Sequence, residues 1–228
     1  MDTTGLVSVI VPAYNAERYI GEALESVFAQ SYQYMEVICV NDGSTDKTGE
    51  IIRSYGDRVV FIDQEKNSGI ATTRNVALRH ARGAWIALMD ADDVWEPEKL
   101  QLQHAYADGH PDVGIIFTHA QCFISPDLPP EVRRLRHCPV EPLPGLLAAS
   151  AFIKKELFDT VGFFDERWRV GEFIDWFSRA QSMGIEHKVL DEVLLRRRIH
   201  DTNTGVEKRP ERVDYVGIVR EALKRRRV

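Results

Sequence analysis

The sequence predicts a single α/β domain in which helices cover both faces of a mostly parallel sheet. Short β-branched runs alternate with longer segments of helical period, which is the pattern of such a sheet. A chain of 228 residues with 44% hydrophobic content can bury one sizeable core. The sequence shows no internal repeat or low-complexity segment, so we expect one domain rather than an array.

The first strand and helix illustrate the alternation. Residues 6–11 form a continuous apolar run, which predicts a buried parallel strand that Pro12 ends. Apolar residues then recur at three- and four-residue spacing over residues 20–28, which predicts an amphipathic helix with Asn15 as its N-cap.

The same signals continue along the chain. They predict strands at residues 37–40, 59–62, 85–89 and 113–118, and an edge strand at residues 193–195. Helices are predicted to end near Tyr55 and to cover residues 70–80, 97–107 and 172–183. Residues 125–145 contain six prolines and a basic cluster, which indicates a loop.

Charge is distributed unevenly along the chain, whose net charge is −6. Residues 196–228 carry eleven Lys and Arg against five Asp and Glu, so a basic end follows an acidic body. Within this end, Lys224 to Arg227 are interpreted as a solvated and partly disordered tail, or as a weak contact with an anionic membrane surface. We expect no nucleic-acid partner.

Two further features concern the cellular compartment. No apolar run approaches the roughly 20 residues that span a bilayer, and the start lacks the basic region of a signal peptide. Cys39, Cys122 and Cys138 are odd in number and show no CxxC spacing, which predicts neither a disulfide framework nor a zinc site. We therefore expect a cytosolic protein, or one held at the inner face of the membrane by its basic end.

Polar, turn-forming groups follow three of the predicted strands. They are Pro12-Ala13-Tyr14-Asn15, Asn41-Asp42-Gly43-Ser44 and Asp90-Ala91-Asp92-Asp93. Because ligands of open α/β sheets bind beyond the carboxyl ends of the strands, the three turns predict one site.

The acidic residues of these turns permit two interpretations each. Asp90, Asp92 and Asp93 suit a divalent cation with a preference for oxygen ligands, or an acidic turn that caps the next helix. Asp42 suits hydrogen bonding to a base or ribose, or an Asx turn that leads into a helix cap.

Three segments within residues 6–100 carry a resemblance to a known family: VSVIVPAYNAERYIGEALESVFAQSYQYMEVICVNDGSTDKT, NSGIATTRNVAL and GAWIALMDADD. In order and spacing they resemble the family 2 inverting glycosyltransferases, which share the Rossmann-like GT-A fold. The resemblance implies transfer of a sugar from a nucleotide-sugar donor to an acceptor hydroxyl, and it favours UDP as the nucleotide.

The resemblance also implies roles for individual residues. Asp42 matches the residue that contacts the base, and Asp90 and Asp92 match the DxD motif. In that motif the second Asp binds Mn²⁺ or Mg²⁺ held by the pyrophosphate, and such a cation neutralises the leaving group without a proton. The donor site implied by the match consists of Pro12, Ala13, Tyr14, Glu17, Asp42, Asn67, Gly69, Arg74, Asp90 and Ala91.

The catalytic base is predicted from a weaker match. AASAFIKKELFDTVGFFDERW resembles the acceptor-side segment that precedes a Glu-Asp pair, but Phe173 stands where the Asp is expected. Glu172 and Asp175 share a face at the start of a predicted helix, where helix amides favour anions. We predict Glu172 as the base and Asp175 as the second candidate. The alternative is that both merely stabilise the start of the helix.

A basic stretch near residue 200 completes the predicted site. Residues 196–203, RRRIHDTN, resemble an Arg-x-His-x-x-Asn stretch whose histidine approaches the metal or the pyrophosphate. His200 is therefore a predicted metal ligand together with Asp92. Without the resemblance, His200 would be interpreted as an ordinary surface histidine.

The resemblance divides the domain into parts. Residues 1–118 are the expected nucleotide-sugar half, residues 119–205 the acceptor-side half and residues 206–228 a basic tail. The acceptor is open: a glycan, a lipid-linked glycan, a protein or a small molecule. One alternative function is a nucleotide-sugar-binding or assembly module that has lost catalysis, which Phe173 permits. Nucleotidyl transfer is the other, but Pro12-Ala13-Tyr14-Asn15 is not a Gly-rich phosphate loop.

Overall fold

A computed structural model describes residues 4–203 and 213–225 and shows one eight-stranded sheet. The strand order is β3-β2-β1-β4-β7-β6-β8-β5. The strands are Val7–Ala13 (β1), Met35–Asp42 (β2), Val60–Gln64 (β3), Trp85–Leu88 (β4), Val94–Trp95 (β5), Ile115–Ile124 (β6), Phe152–Lys154 (β7) and His187–Ile199 (β8).

Helices pack on both faces of this sheet, which confirms the predicted fold class. Val9 and Ile10 are adjacent on β1, yet they belong to different hydrophobic cores because successive strand residues point to opposite faces. The helices are Ile20–Phe28 (α1), Thr48–Arg53 (α2), Ile70–His80 (α3), Lys99–Gly109 (α4), Pro130–Arg134 (α5), Leu157–Thr160 (α6), Glu172–Ser182 (α7) and Val213–Arg225 (α8).

Strand direction differs between the two halves of the sheet. β1 is parallel to β2 and β4, and β2 is parallel to β3. β7 is antiparallel to both β4 and β6, whereas β6 and β8 are parallel. The carboxyl ends of β1, β2 and β4 therefore meet at one edge, as the positions of the polar turns require.

Two details of the first unit were predicted wrongly. Pro12 does not end β1, which continues to Ala13 with Pro12 opposite Val40. Asn15 is not an N-cap, because α1 begins only at Ile20 and Asn15 has a left-handed φ of 47°. The Asn15 side chain instead accepts a hydrogen bond from the Thr45 backbone N–H at 2.9 Å, which joins the turns after β1 and β2.

The C-terminal half also departs from the predictions. The expected edge strand at residues 193–195 is part of the 13-residue β8, which pairs with β6 on one side and β5 on the other. Charged residues interrupt its apolar pattern, so the sequence shows only its middle. The expected loop at residues 125–145 contains the short helix α5.

Residues 213–225 of the basic end form α8, which includes Lys224 and Arg225 of the predicted tail. Ile218 of α8 is only 2% exposed, so the helix is packed against the body of the protein. Arg226 and Arg227, which the tail prediction included, lie outside the described residues. Within residues 4–203 and 213–225, the helices are too short or too polar to cross a membrane.

A fully buried lysine lies at the start of α4. Lys99 Nζ donates a hydrogen bond to Gln103 Oε1 at 2.9 Å and lies 4.1 Å from the centre of the Trp95 ring. Burial lowers the pKa of this amine well below its usual value. No carboxylate is among these contacts, so the neutral amine is the form that the interior favours.

We expect this lysine to make stability depend on pH. Between the lowered pKa of the folded state and about pH 10, Lys99 carries a proton in the unfolded chain but not in the folded chain. The free energy of unfolding therefore rises with pH in this range, by up to about 1.4 kcal/mol per pH unit. Lys99→Met should remove this part of the rise in urea unfolding from pH 7 to 10. The same substitution at the exposed Lys188 should leave the slope unchanged, and equal slopes for Lys99→Met and the native chain would contradict the prediction.

Candidate active site

A cleft of about 570 Å³ lies at the carboxyl edge of β1, β2 and β4. The structure brings together there most of the residues that the sequence predicts for the site. Glu17 and Asp175 are the two predicted residues that do not line it. Those that do are Pro12, Ala13, Tyr14, Asp42, Asn67, Gly69, Arg74, Asp90, Ala91, Asp92, Glu172 and His200.

Glu17 contacts a neighbouring turn instead of the cleft. Its carboxylate accepts a hydrogen bond from the Lys47 backbone N–H at 2.9 Å, and its own N–H donates to Asp46 at 3.1 Å. The residue therefore joins the turns after β1 and β2. Contact of Glu17 with the nucleotide stays a prediction.

Asp42 lies in the cleft, 3% exposed, and organises the loop before α3. Its carboxylate accepts hydrogen bonds from the backbone N–H groups of Ser68 at 2.7 Å and Gly69 at 3.0 Å. The alternative of an Asx turn does not apply to it, because Asn41 is the residue whose side chain accepts from the turn, at Ser44 N. Contact of Asp42 with a nucleotide base stays a prediction.

Arg74 joins two acidic residues that are far apart in the sequence. Its side chain is 3% exposed, with Nη2 at 2.6 Å from Asp90 Oδ1 and Nη1 bonded to Glu172 Oε1. α3 supplies the arginine, the turn after β4 supplies Asp90 and the first residue of α7 supplies Glu172. One guanidinium thus holds both carboxylates at the cleft.

Two opposing effects act on the pKa of the Glu172 carboxyl group. Burial raises the pKa of its carboxyl group, and the positive charge of Arg74 acts in the opposite direction. A carboxylate of raised pKa is a better proton acceptor than a free one, which suits a general base.

Asp175, the second candidate base, is directed away from the cleft. It is 1% exposed, and its two oxygens lie 3.0 Å from Arg179 Nε and 2.8 Å from Arg225 Nη2. Two arginines therefore neutralise it within the junction of α7 and α8. The structure thus gives Asp175 ion pairs outside the cleft, and its role as a base stays a prediction.

Phe173, which replaces the expected Asp, packs into the core. It is 5% exposed and lies near Phe117 and Phe177, at ring-centre distances of 6.1 and 6.3 Å. In the first turn of α7, Glu172 thus faces the cleft while the next residue faces the core. Position 173 therefore supplies no carboxylate to the cleft.

The predicted metal ligands contact each other. Asp92 Oδ2 lies 2.8 Å from His200 Nε2 and 3.2 Å from Asn203 Nδ2. A carboxylate oxygen and an imidazole nitrogen are both suitable ligands for Mn²⁺. In the described part of the chain, however, no three His, Cys, Asp or Glu side chains are arranged to hold an ion. Asp92 and His200 would thus supply only two ligands, and any cation bound there would need further ligands from outside this pair.

Asp93, beside this pair, has a different role. Its Oδ1 accepts a hydrogen bond from the Arg198 backbone N–H at 2.9 Å, and the Arg198 guanidinium binds Glu22 at 2.5 Å. Burial, and then the charges of Asp92 and Asp90, raise the pKa of Asp93 well above its usual value. Asp93 thus anchors β8 to the turn after β4.

The cleft also contains residues that the sequence analysis missed. Arg197, Arg198 and Asn203 lie in the predicted basic stretch at residues 196–203, although that prediction gave them no individual role. No motif or periodic pattern in the sequence indicated Tyr215, which lies in the part assigned to the basic tail. The missed residues include Tyr19, Arg169 and Tyr215, whereas Asp93 was one of the predicted cation ligands.

Comparison with known proteins decides the family. The family model described as glycosyl transferase family 2 matches residues 8–188. This chain belongs to glycosyl transferase family 2. The matched residues include β1 from Ser8 onwards, β2 to β7, α7 and every predicted donor-site residue.

Relatives within the family are similar over different parts of the chain. An uncharacterized glycosyltransferase of Rickettsia typhi is 32% identical over 213 residues, which are 87% of this chain and 65% of the relative. The putative teichuronic acid biosynthesis glycosyltransferase TuaG of Bacillus subtilis is 45% identical over 101 residues, 43% of this chain and 40% of the relative. The chain thus spans less than two thirds of the length of these relatives.

Solved structures share the GT-A fold with this family member. TarS of S. aureus, residues 1–349 in complex with UDP, matches with a TM-score of 0.68 and 26% identity, over 86% of this chain and 61% of TarS. The complex of the same protein with UDP-GlcNAc matches with a TM-score of 0.70 and 25% identity, over 86% of this chain and 59% of TarS. These matches confirm the GT-A fold.

Proposed function

We propose that the protein transfers a sugar from a UDP-sugar to an acceptor hydroxyl, with inversion at the transferred carbon. The observation that carries this proposal is the cleft, which combines the Asp92–His200 pair with the buried Glu172 at the edge where α/β sheets bind ligands. The complexes of TarS with UDP and with UDP-GlcNAc support the choice of nucleotide.

The residues at the ends of β1 and β2 would hold the nucleotide. Tyr14 is 48% exposed in the cleft and offers an aromatic face to a base or ribose. Asp42 fixes the loop at Ser68 and Gly69, which keeps that side of the pocket rigid. Rigid, preformed contacts lower the entropic cost of binding.

Asp92 and His200 would hold Mn²⁺ or Mg²⁺ against the diphosphate. When bound, such an ion stabilises the negative charge that develops on the leaving diphosphate. Arg197 also lines the cleft, where its positive charge acts on Asp93 and Asp90. It would add a second positive group near the departing phosphates.

Glu172 would remove the proton from the acceptor. In a single displacement, the acceptor oxygen forms a bond to the sugar carbon while the bond from that carbon to the diphosphate oxygen breaks. The electron pair of the broken bond leaves with UDP. The acceptor proton moves to the Glu172 carboxylate, and the attack from the opposite face inverts the carbon. Arg74 keeps this carboxylate in place.

Two measurements test the function together. UDP binding should be detected by calorimetry, and incubation with a set of nucleotide sugars should release UDP slowly with water as the acceptor. UDP binding without any release or transfer would instead favour a nucleotide-sugar-binding module. The buried Phe173, which leaves that position without a carboxylate, is the observation in favour of this second function. Absence of UDP binding would contradict both.

We expect nucleotide binding to depend on metal through Asp92. Asp92→Asn should weaken UDP binding in Mn²⁺ at least about tenfold, equivalent to about 1.4 kcal/mol, because the amide is a poor ligand. Calorimetric titration with Mn²⁺ and with a chelator measures both effects. Asp57→Asn, at an exposed position that does not line the cleft, is the matched control and should change nothing. Equal UDP affinity in Mn²⁺ and in chelator would contradict the metal assignment.

A further inference from the structure

The C-terminal helix α8 packs against the segment that leads into α7. Asp214 Oδ2 accepts hydrogen bonds from the backbone N–H groups of Arg169 at 2.8 Å and Val170 at 3.4 Å. At the other end of the helix, Arg225 Nη2 lies 2.8 Å from Asp175 Oδ1. Contacts at both ends fix the position of α8 on the protein.

Two glycines allow an unusually close approach between these elements. A Cβ atom on Gly171, whose φ is +78°, would lie 2.8 Å from Cε1 of Tyr215. A Cβ atom on Gly217 of α8 would lie 2.8 Å from the ring of Trp168. Because neither position has room for a side chain, the Tyr215 ring rests on the backbone directly before Glu172.

Tyr215 is also part of the cleft. It is 39% exposed and lines the same cavity as Gly171, Glu172 and Arg169. The turn after β1 supplies another exposed tyrosine, Tyr14, which we assign to the nucleotide. Tyr215 comes from a different element and adjoins the start of α7, where the proposed base lies.

We propose that Tyr215 forms one wall of the acceptor subsite and that it contacts a sugar ring of the acceptor. This inference rests on the proposed function, since the group next to the base must be the acceptor. A pyranose presents C–H groups on one face and hydroxyls around its rim. An exposed aromatic ring matches that face, and the adjacent Glu172 and Arg169 match the rim. The acceptor is therefore a glycan or glycoside.

Binding of simple glycosides tests this assignment. The probes are methyl α- and β-glycosides of glucose, galactose, mannose and N-acetylglucosamine, observed by saturation-transfer NMR with UDP and Mn²⁺ present. We expect the native chain to bind at least one of them, Tyr215→Ala to bind it at least about tenfold more weakly, and Tyr215→Phe to bind it normally. Tyr215→Leu, which keeps the packing on Gly171 without an aromatic face, should also bind the glycoside weakly. If Tyr215→Ala does not fold, Tyr215→Leu is the variant that tests the role of the aromatic ring.

The controls separate this inference from the proposed function. Val216→Ala, at a 60% exposed position of the same helix, should bind glycosides and UDP normally. UDP affinity should also be unchanged in the Tyr215 variants. The inference is overturned if the native chain binds UDP but none of the glycosides, if Tyr215→Leu binds them normally, or if it loses UDP instead. Failure of the native chain to bind UDP contradicts the proposed function itself.

Discussion

Replacing Arg74 with methionine is expected to lower the free energy of unfolding by about 3–5 kcal/mol, the range for a buried ion pair that loses one partner. The reason is Glu172, whose side chain is 7% exposed and would keep a buried charge without its cation. Asp90, with a 38% exposed side chain, would lose its 2.6 Å contact but retain access to water. Urea unfolding at pH 7 measures the change.

Controls for Arg74 use another pair and a second substitution. Arg53→Met breaks a pair with Asp63 in which the side chains are 62% and 46% exposed, so it should cost less than about 1 kcal/mol. Adding Glu172→Gln to Arg74→Met should restore part of the stability, because the uncompensated charge is removed. If Arg74→Met costs no more than Arg53→Met, the buried ion-pair network is not a stabilising feature.

Replacing Glu172 with glutamine is expected to lower turnover about 10²–10⁴-fold, the usual contribution of a general base. The amide keeps the shape of the side chain but cannot take a proton. UDP affinity should remain within about twofold, since the nucleotide contacts lie on other elements. Release of UDP from the active nucleotide sugar and calorimetry with UDP separate the two effects.

The matched control is Asp175→Asn, three residues along the same helix. Asp175 lies outside the cleft between Arg179 and Arg225, so this substitution should lower the melting temperature more than the turnover. Glu172→Gln with native turnover would show that Glu172 is not the base. An inactive but folded Asp175→Asn would contradict the placement of Asp175 seen here.

The pH dependence of turnover provides a further check on Glu172. Its carboxyl must be ionised to accept a proton, and burial raises its pKa while Arg74 opposes the rise. Activity should therefore fall as the pH decreases through a pKa above the usual glutamate value, and the acid limb of the profile should report it. The acid limb should disappear from the residual activity of Glu172→Gln.

Local pattern predicted most elements of the first half of the molecule, but not β5, whose partner β8 is distant in the sequence. Helix α3 has the predicted bounds, residues 70–80, and the three polar turns lie at one edge as expected. Both follow from sequence periodicity and from the rule that parallel strands end on the same side. Another error concerns Pro12, which stays within β1 opposite Val40. Proline lacks a backbone N–H, but this does not interrupt a strand unless the neighbouring strand needs that hydrogen bond.

The tertiary structure decided how the predicted residues are used. Arg74 and Glu172 are 98 positions apart, and no periodicity relates them. Glu172 and Asp175 have equivalent positions in the first turn of α7 by sequence, so only the packing of that helix could distinguish them. Residues 213–225 of the predicted tail form α8, and its close approach at Gly171 and Gly217 exists only after both elements have folded.

By itself, the sequence determined the fold class, the family resemblance and the set of acidic residues available for chemistry, because periodicity and motif spacing are properties of neighbouring residues. The folded chain alone decided that Glu172 faces the cleft, that Asp175 is neutralised by two arginines and that Tyr215 stands beside the proposed base. The physical reason is that the burial of Phe173 and Trp176 sets the rotation of α7 about its axis. These two side chains pack against core residues that are distant in the sequence.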